Sequence, residues 1–320
     1  MNKWLFLSGI VICFTCCDHR NSNVPVVGFA DAFQDNTIEQ AKTGFMDALQ
    51  KEGFDEKRGT LKMIYRNAQG NIPTLTQIIK YFVSQQVALI ATNPSLSTIT
   101  AVQNTKSIPI FMMVSPTPAL MKVNDAQGNP PANLFGVGEA LDYIDTSFLL
   151  IPKVMKPKSG KLTVGMLFNQ SEPQSVESIE RIQKLAAENN IHLIFQPVNS
   201  SADVQLVTAS LLSKNIDVFF ANPDNLVFES FETILQACNR NNIPIFTSEA
   251  GLVERGALAA YGADIYQWGY QAGREAAQYL KTKSTAGLHW EMVMVRKRVY
   301  NPGVANKFGI KIPSNFQPVQ

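Results

Sequence analysis

Two stretches of this chain repeat one pattern half a chain apart: ALIATNPSLSTIT (Ala88–Thr100) and VFFANPDNLVFES (Val218–Ser230). Each is an apolar run that ends in Asn-Pro and continues into a polar turn. Each is followed by the same four letters, IPIF, at Ile108–Phe111 and again at Ile243–Phe246. A strand, an Asn-Pro turn, a helix and an IPIF strand, written twice, indicate two lobes with the same topology.

The rest of the chain alternates apolar runs of strand length with amphipathic segments. The further predicted strands are Val24–Ala30, Leu61–Arg66, Leu162–Asn169, Ile191–Val198, Ala257–Gly262 and Glu291–Val299. Continuous apolar runs are typical of parallel strands that are buried on both faces. Between them, residues such as Ile38, Ala41 and Phe45 recur at helical spacing. The pattern predicts an α/β fold of two similar Rossmann-like lobes, with parallel sheets joined by a hinge.

A polar stretch, Lys122–Asn133, interrupts this alternation once, and the rhythm starts afresh near Lys161. We therefore assign residues 25–141 and about 265–290 to lobe 1. Lobe 2 comprises residues 142–264 and part of the C-terminal segment. Ligands of open α/β sheets bind at the carboxyl ends of the strands, so we expect a small molecule in the cleft between the lobes, which close about the hinge.

The N-terminal segment differs from the rest. After a short positive start, Trp4–Phe14 is apolar, too short to span a membrane and suited to a secretory signal. The signal ends at Cys17, the predicted lipidated residue, with Cys16 as the alternative; a signal cut without lipidation is a further alternative. Residues 18–24 would form a tether. The predicted location is outside the cytoplasm, with a lipid anchor in the cell envelope.

Composition excludes several classes of function. The 28 basic and 26 acidic residues are intermixed, which argues against a nucleic-acid partner. The three histidines have no spacing typical of a catalytic triad or a metal pair, and no glycine-rich phosphate loop is present. We expect no enzyme activity, no cofactor and no metal.

Several ordered motifs carry a family resemblance that runs from about Val26 to Leu280. They are GFMDALQKEGF (Gly44–Phe54), NAQGN (Asn67–Asn71), VGMLFNQSEPQSVESI (Val164–Ile179) and the long segment Ile243–Ala277, together with both Asn-Pro turns. In these motifs the chain resembles the substrate-binding proteins of ABC importers, with the type I periplasmic-binding fold, specifically the tryptophan- and tyrosine-binding lipoproteins.

The resemblance implies a solute-binding protein that delivers an amino acid or related compound, possibly an aromatic one, to an ABC permease and its ATPase. A binding protein that signals to a membrane receptor is the alternative. Two turns depart from the family pattern: VSPTP replaces Val-Thr-Asp-Pro, and FADAFQDNT stands where relatives often carry His-Pro. Both lie at the expected cleft and leave the identity of the ligand open.

An amino-acid-like ligand needs donors for its carboxylate, an acceptor for its ammonium group and a surface for its side chain. Polar residues that follow the strands supply the candidate donors: Thr92, Asn93, Ser95, Ser115, Asn169, Ser171 and Ser248. Asp224 is the candidate ammonium partner, with helix capping as its alternative role. Phe29, Phe33 and Tyr266 are candidate stacking residues, and Asp264 completes the predicted set.

Overall fold

The computed structural model describes residues 24–319. The predicted signal, Cys16, Cys17 and most of the tether lie outside this range. In the described part of the chain, no helix has the length and apolar character that a membrane crossing requires.

The described residues form thirteen strands and twelve helices. The strands are β1 (Val26–Asp31), β2 (Lys62–Asn67), β3 (Leu89–Asn93), β4 (Ile110–Pro116), β5 (Leu134–Glu139), β6 (Thr163–Asn169), β7 (His192–Val198), β8 (Val218–Ala221), β9 (Ile245–Thr247), β10 (Ala259–Ala263), β11 (Glu291–Met292), β12 (Arg296–Tyr300) and β13 (Gln317–Pro318). The helices are α1 (Asn36–Lys51), α2 (Ile72–Ser84), α3 (Ser95–Asn104), α4 (Tyr143–Phe148), α5 (Ile151–Val154), α6 (Pro173–Glu188), α7 (Ser201–Leu212), α8 (Asn225–Glu229), α9 (Phe231–Arg240), α10 (Ala250–Glu254), α11 (Ile265–Thr282) and α12 (Pro302–Phe308).

The strands form two separate sheets, and each sheet is the centre of one lobe. The sheet of lobe 1 has the order β11-β5-β4-β3-β1-β2, with every pair parallel. The sheet of lobe 2 has the order β13-β12-β10-β9-β8-β6-β7, in which only β10 and β12 pair antiparallel. The predicted α/β fold with two parallel-sheet lobes is confirmed.

The chain passes between the sheets three times: after β5, between β10 and α11, and between β11 and β12. Helix α11 follows the second passage and packs on lobe 1, against α1, β4 and β5. Glycines allow close contact there, because a Cβ atom at Gly269 would lie only 1.8 Å from the carbonyl oxygen of Ala41. Connecting segments of this kind can act as a hinge about which two lobes rotate as rigid bodies.

Two strand assignments made from the sequence differ from the structure. The run Glu291–Val299 is two strands in different sheets, β11 and β12, because Val293–Val295 is the third passage between the lobes. Strand β5 was not predicted, since Gly136 and Gly138 lower the strand propensity of its sequence. Gly136 has φ of 91°, and a Cβ atom there would lie 2.4 Å from a carbonyl oxygen of β4, so the glycine is required.

Candidate ligand-binding site

A cavity of about 50 Å³ lies between the two lobes. Ligand cavities commonly measure about 300–1,000 Å³, so this cavity, as it stands, is smaller than a typical site for a small organic solute. Lobe 1 and the helix packed on it contribute Ser95, Val114, Ser115, Pro116, Glu139 and Trp268. The opposite wall consists of Leu141, Tyr143, Gln174, Pro223, Asp224, Asn225, Phe228 and Glu249. A molecule in this cavity contacts both lobes at once.

The lobe 1 wall is built around the start of helix α3. Pro94 occupies the N-cap position, and no side chain of the described residues caps this helix. A helix start presents free N–H donors and a positive partial charge, which favour an anionic group. Ser95, which is 2% exposed, adds a hydroxyl group at the same place. This corner of the cavity is suited to a carboxylate.

A chain of three hydroxyl groups supports this corner. Thr98 Oγ1 lies 2.9 Å from Thr92 Oγ1 and 3.0 Å from Ser115 Oγ. Strand β4 contains a bulge just before Ser115. The register shifts between Met112 and Ser115, and Val114 has φ of 49°. That conformation is strained for a β-branched residue, and bulges of this kind re-aim side chains near binding sites. The hydrogen bond to Thr98 and the bulge together hold the Ser115 hydroxyl at the cavity wall.

The equivalent turn of lobe 2 carries Asp224. Its Oδ1 accepts hydrogen bonds from the N–H groups of Leu226 and Val227, at 2.8 and 3.0 Å, and so caps helix α8. Its Oδ2 accepts from the N–H group of Asn169 at 2.6 Å and from the hydroxyl of Ser175 at 2.5 Å. These four bonds use both oxygens. The geometry therefore supports the capping role of Asp224, the alternative that the sequence left open.

Two amide side chains of lobe 2 reach across the cavity to Ser95. Gln174 Nε2 and Asn225 Nδ2 donate to Ser95 Oγ, at 3.2 and 3.1 Å. Gln174 Nε2 also donates to Glu172 Oε2 at 2.6 Å, and the N–H group of Asn225 donates to the same oxygen at 3.1 Å. Burial and the negative charge of Asp224 raise the pKa of Glu172 well above its usual range. The two lobes are thus linked through one serine hydroxyl.

The other end of the cavity is acidic. Glu139 ends β5 in lobe 1, and Glu249 follows β9 in lobe 2. The hydroxyl of Tyr143 donates to Glu249 Oε1 at 2.9 Å, and Arg296 Nε donates to Glu139 Oε1 at 2.7 Å. Burial raises the pKa of Glu139 to about 7, against the opposing effect of Arg296. Burial and then the charge of Glu139 raise the pKa of Glu249 to about 8.

Aromatic side chains supply the apolar walls. Trp268, Tyr143 and Phe228 all line the cavity and are at most 7% exposed. The indole N–H of Trp268 donates to the carbonyl oxygen of Val137 at 2.8 Å, which fixes the orientation of the ring. Buried aromatic surface of this kind suits a flat or apolar part of a ligand.

The structure divides the predicted binding residues into three groups. Three of them line the cavity, namely Ser95, Ser115 and Asp224. A second, more open groove is lined by three others, namely Phe33, Asn169 and Ser171. The remaining six do not line either space.

Three of those six serve the fold of one lobe. Phe29 is fully buried in the core of lobe 1 and is not available for stacking on a ligand. The hydroxyl of Tyr266 donates to Asp47 at 2.9 Å on the protein surface. Asp264 caps α11 and forms an ion pair with Lys297 at 2.7 Å.

The other three are buried near the cavity walls. Thr92 acts through Thr98, as described above. The Nδ2 atom of Asn93 donates to Asp31 Oδ1 at 2.8 Å. Ser248 is fully buried next to Glu249 in the chain.

Eleven of the fourteen wall residues lie outside the predicted set, and they include Glu139, Leu141, Tyr143, Gln174 and Phe228. Glu139 is the last residue of β5, a strand that the sequence pattern did not predict. No sequence signal therefore placed Glu139 at the carboxyl end of a strand. Trp268 lies two residues after the predicted Tyr266, and this helical spacing places the two side chains on different faces of α11. Recognising β5 would have identified Glu139.

Comparisons with known proteins agree with this geometry. The family described as ABC transporter substrate binding protein matches residues 26–317. The tyrosine-binding protein of Clostridioides difficile (strain R20291) is 32% identical over 262 residues, covering 82% of this chain and 74% of that protein.

Several solved structures have a similar fold. A conserved domain protein from Vibrio cholerae has a TM-score of 0.82 at 26% identity, covering 93% of this chain and 100% of its own. The ligand-free, open structure of a Clostridium difficile substrate binding protein with adhesive properties has a TM-score of 0.66, also at 26% identity, covering 93% and 99%. An ABC domain in complex with L-Trp from Streptococcus pneumoniae has a TM-score of 0.82 at 21% identity, covering 92% and 99%. The chain belongs to the family of ABC transporter substrate-binding proteins.

Proposed function

We propose that this protein captures an amino acid, specifically an aromatic one, in the cavity between its lobes and delivers it to the permease of an ABC importer. Membership of the family assigns the binding of a small solute and not catalysis. The observation that carries the finer proposal is the cavity itself, whose walls come from both lobes.

The chemistry of the walls supports an aromatic amino acid. The uncapped start of α3 with Ser95 suits a carboxylate, and the acidic end suits an ammonium group. Trp268, Tyr143 and Phe228 offer apolar surface between them. The relatives that bind tyrosine and tryptophan have ligands with these same three parts.

Capture works by closure of the two lobes around the solute. Contacts across the cleft support this step: besides the bonds to Ser95, Arg255 of lobe 2 binds Asp35 Oδ2 of lobe 1 at 2.6 Å. Arg255 also binds Glu232 of its own lobe at 2.8 Å. The match to the open structure is poorer than the match to the Vibrio protein at equal identity and coverage, as a different angle between lobes would produce.

The lipid anchor at Cys17 is a further part of the proposal and rests on the sequence alone. Replacing it, as Cys17→Ala, should move the protein from the membrane fraction to the soluble fraction. A protein that stays with the membrane after this change would refute the assignment of Cys17, and Cys16→Ala then tests the neighbouring residue.

A ligand screen tests the function. The mature protein is mixed with the common amino acids, short peptides, nucleosides and sugars, and its melting temperature is measured. An aromatic amino acid at 100 times its Kd should raise Tm by about 5 °C, because a ligand that binds only the folded state stabilises it. Small-angle scattering should show a smaller radius of gyration with that ligand. A shift with sugars or nucleosides alone would contradict the proposal.

A further inference from the structure

One buried carboxylate oxygen in the cavity wall has no protein partner. Glu139 is 2% exposed, and its Oε1 is held by Arg296. Its Oε2 is buried and accepts no hydrogen bond from any residue of the described chain. A buried carboxylate oxygen that lacks a donor is unfavourable, so the site needs a donor from elsewhere. Since Glu139 lines the cavity, a ligand can provide it.

A second carboxyl group reaches the same end of the cavity from the opposite lobe. Glu249 is 4% exposed, and only its Oε1 receives the hydroxyl of Tyr143. It lies near enough to Glu139 for the charge of one group to act on the other. Arg296 offsets the charge of Glu139, whereas no cationic side chain of the described residues binds Glu249, so a cation at this end of the cavity favours the ionised form of Glu249.

The remaining charges favour a cation from the ligand. Among the described residues that line the cavity there is no lysine, arginine or histidine. Asp224, the third acidic residue in the walls, already accepts four hydrogen bonds from the protein. This leaves Glu139 and Glu249 as the acidic groups with acceptor capacity for a ligand.

We propose that Glu139 of lobe 1 and Glu249 of lobe 2 together form the subsite for the protonated amine of the ligand, so that the amine is the group that joins the lobes. This inference rests on the proposed function and specifies how its ligand is recognised. Each carboxylate accepts an N–H bond from the ammonium group, and the positive charge removes the repulsion between them.

Binding at this subsite is linked to proton release. At neutral pH the raised pKa of Glu249 leaves that group mostly protonated without ligand, and an ammonium group favours its ionised form. The charged and titratable groups around the pair are Asp142, Tyr143 and Arg296, and Arg296 stays charged throughout. Affinity should therefore rise from pH 6 to pH 7.5, by up to roughly tenfold per pH unit for each proton released, from Glu249 throughout and from Glu139 as well towards pH 6.

Calorimetry with chosen probes tests the subsite. L-Tyrosine, L-tryptophan and tyramine carry an amine, whereas 3-(4-hydroxyphenyl)propionate has the ring and carboxylate of tyrosine without it. Each probe is titrated into the wild-type protein, Glu249→Gln and Glu139→Gln, in two buffers with different enthalpies of ionisation. Glu275→Gln is the matched control, because Glu275 is another buried glutamate with a pKa raised to about 8, outside the cavity.

We expect at least one amine to bind the wild-type protein and the propionate to bind at least 100-fold more weakly than tyrosine. Glu249→Gln should weaken amine binding at least tenfold and reduce proton release, and Glu139→Gln should also weaken amine binding. Glu275→Gln should change neither property. Three results would refute the amine subsite: no amine binds, the propionate binds as well as tyrosine, or Glu249→Gln keeps full affinity and proton release. Binding of amines but of no amino acid would support the subsite while refuting the proposed function.

Discussion

The two Asn-Pro turns, Asn93–Ser95 in lobe 1 and Asn222–Asp224 in lobe 2, occupy equivalent places and have different tasks. Both follow a buried parallel strand and lead into a helix at the cleft. In lobe 2, Asp224 caps its helix and accepts one further hydrogen bond from β6 and one from α6. In lobe 1, Ser95 holds the corresponding position, and no side chain in residues 24–319 caps its helix.

The difference shows how a repeated structure acquires two functions. In the lobe 2 turn, Asp224 accepts the first N–H groups of its own helix and needs no ligand to do so. The lobe 1 turn leaves its helix start available, and its serine receives the amides of Gln174 and Asn225 from the other lobe. One turn is therefore held within its own lobe, and the other contacts the opposite lobe.

The largest effect is expected from giving lobe 1 the residue of lobe 2, as Ser95→Asp. A carboxylate at this first position of α3 would interact with the positive end of the helix and repel the carboxylate of the ligand. We expect the affinity for an amino acid to fall at least about 100-fold, or roughly 2.8 kcal/mol of binding free energy, measured by calorimetry.

Ser95→Asn is the control for this change, since its side chain has nearly the same size without the charge. It should retain clearly more affinity than Ser95→Asp, and the free energy of unfolding of each variant is measured beside its affinity to show that both are folded. Equal affinities of the two variants would mean that no ligand carboxylate lies at the start of α3.

The variant Asp224→Ala is expected to lower the stability of the folded protein. It removes the cap of α8 and leaves the N–H group of Asn169 and the hydroxyl of Ser175 without their acceptor. The free energy of unfolding should fall by about 2–4 kcal/mol, measured by urea denaturation.

Asp224→Asn retains one acceptor oxygen and should lose about half as much stability. If Asp224→Ala unfolds like the wild type but loses ligand affinity tenfold or more, Asp224 contacts the ligand directly, and the distinction drawn between the two turns is wrong.

The fold could be predicted from the sequence because its signal is repeated and strong. The Asn-Pro turns and IPIF strands mark the same edge of both sheets, and buried parallel strands are continuous apolar runs. Strand β5 escaped because two of its six residues are glycines, which the close contact of Gly136 with β4 requires.

The site was only partly predictable. Ser95 and Ser115 follow recognisable strands, and both line the cavity. Asp224 was placed correctly, but its occupied oxygens depend on β6 and α6, which are distant in sequence. The sequence cannot show which side chains of a second lobe meet those of the first, and the pairing of Glu139 with Glu249 arises only there.

The ion pair between Arg255 and Asp35 has a consequence for how the cleft opens. Asp35 caps α1 through its other oxygen, with bonds of 2.9 Å to the N–H groups of Thr37 and Ile38. Arg255 keeps Glu232 on its own lobe. When the lobes separate, neither ion is stranded in an apolar setting, because each retains an interaction within its own half and gains water. In the proposed closure mechanism, this ion pair would therefore add little resistance to opening of the cleft.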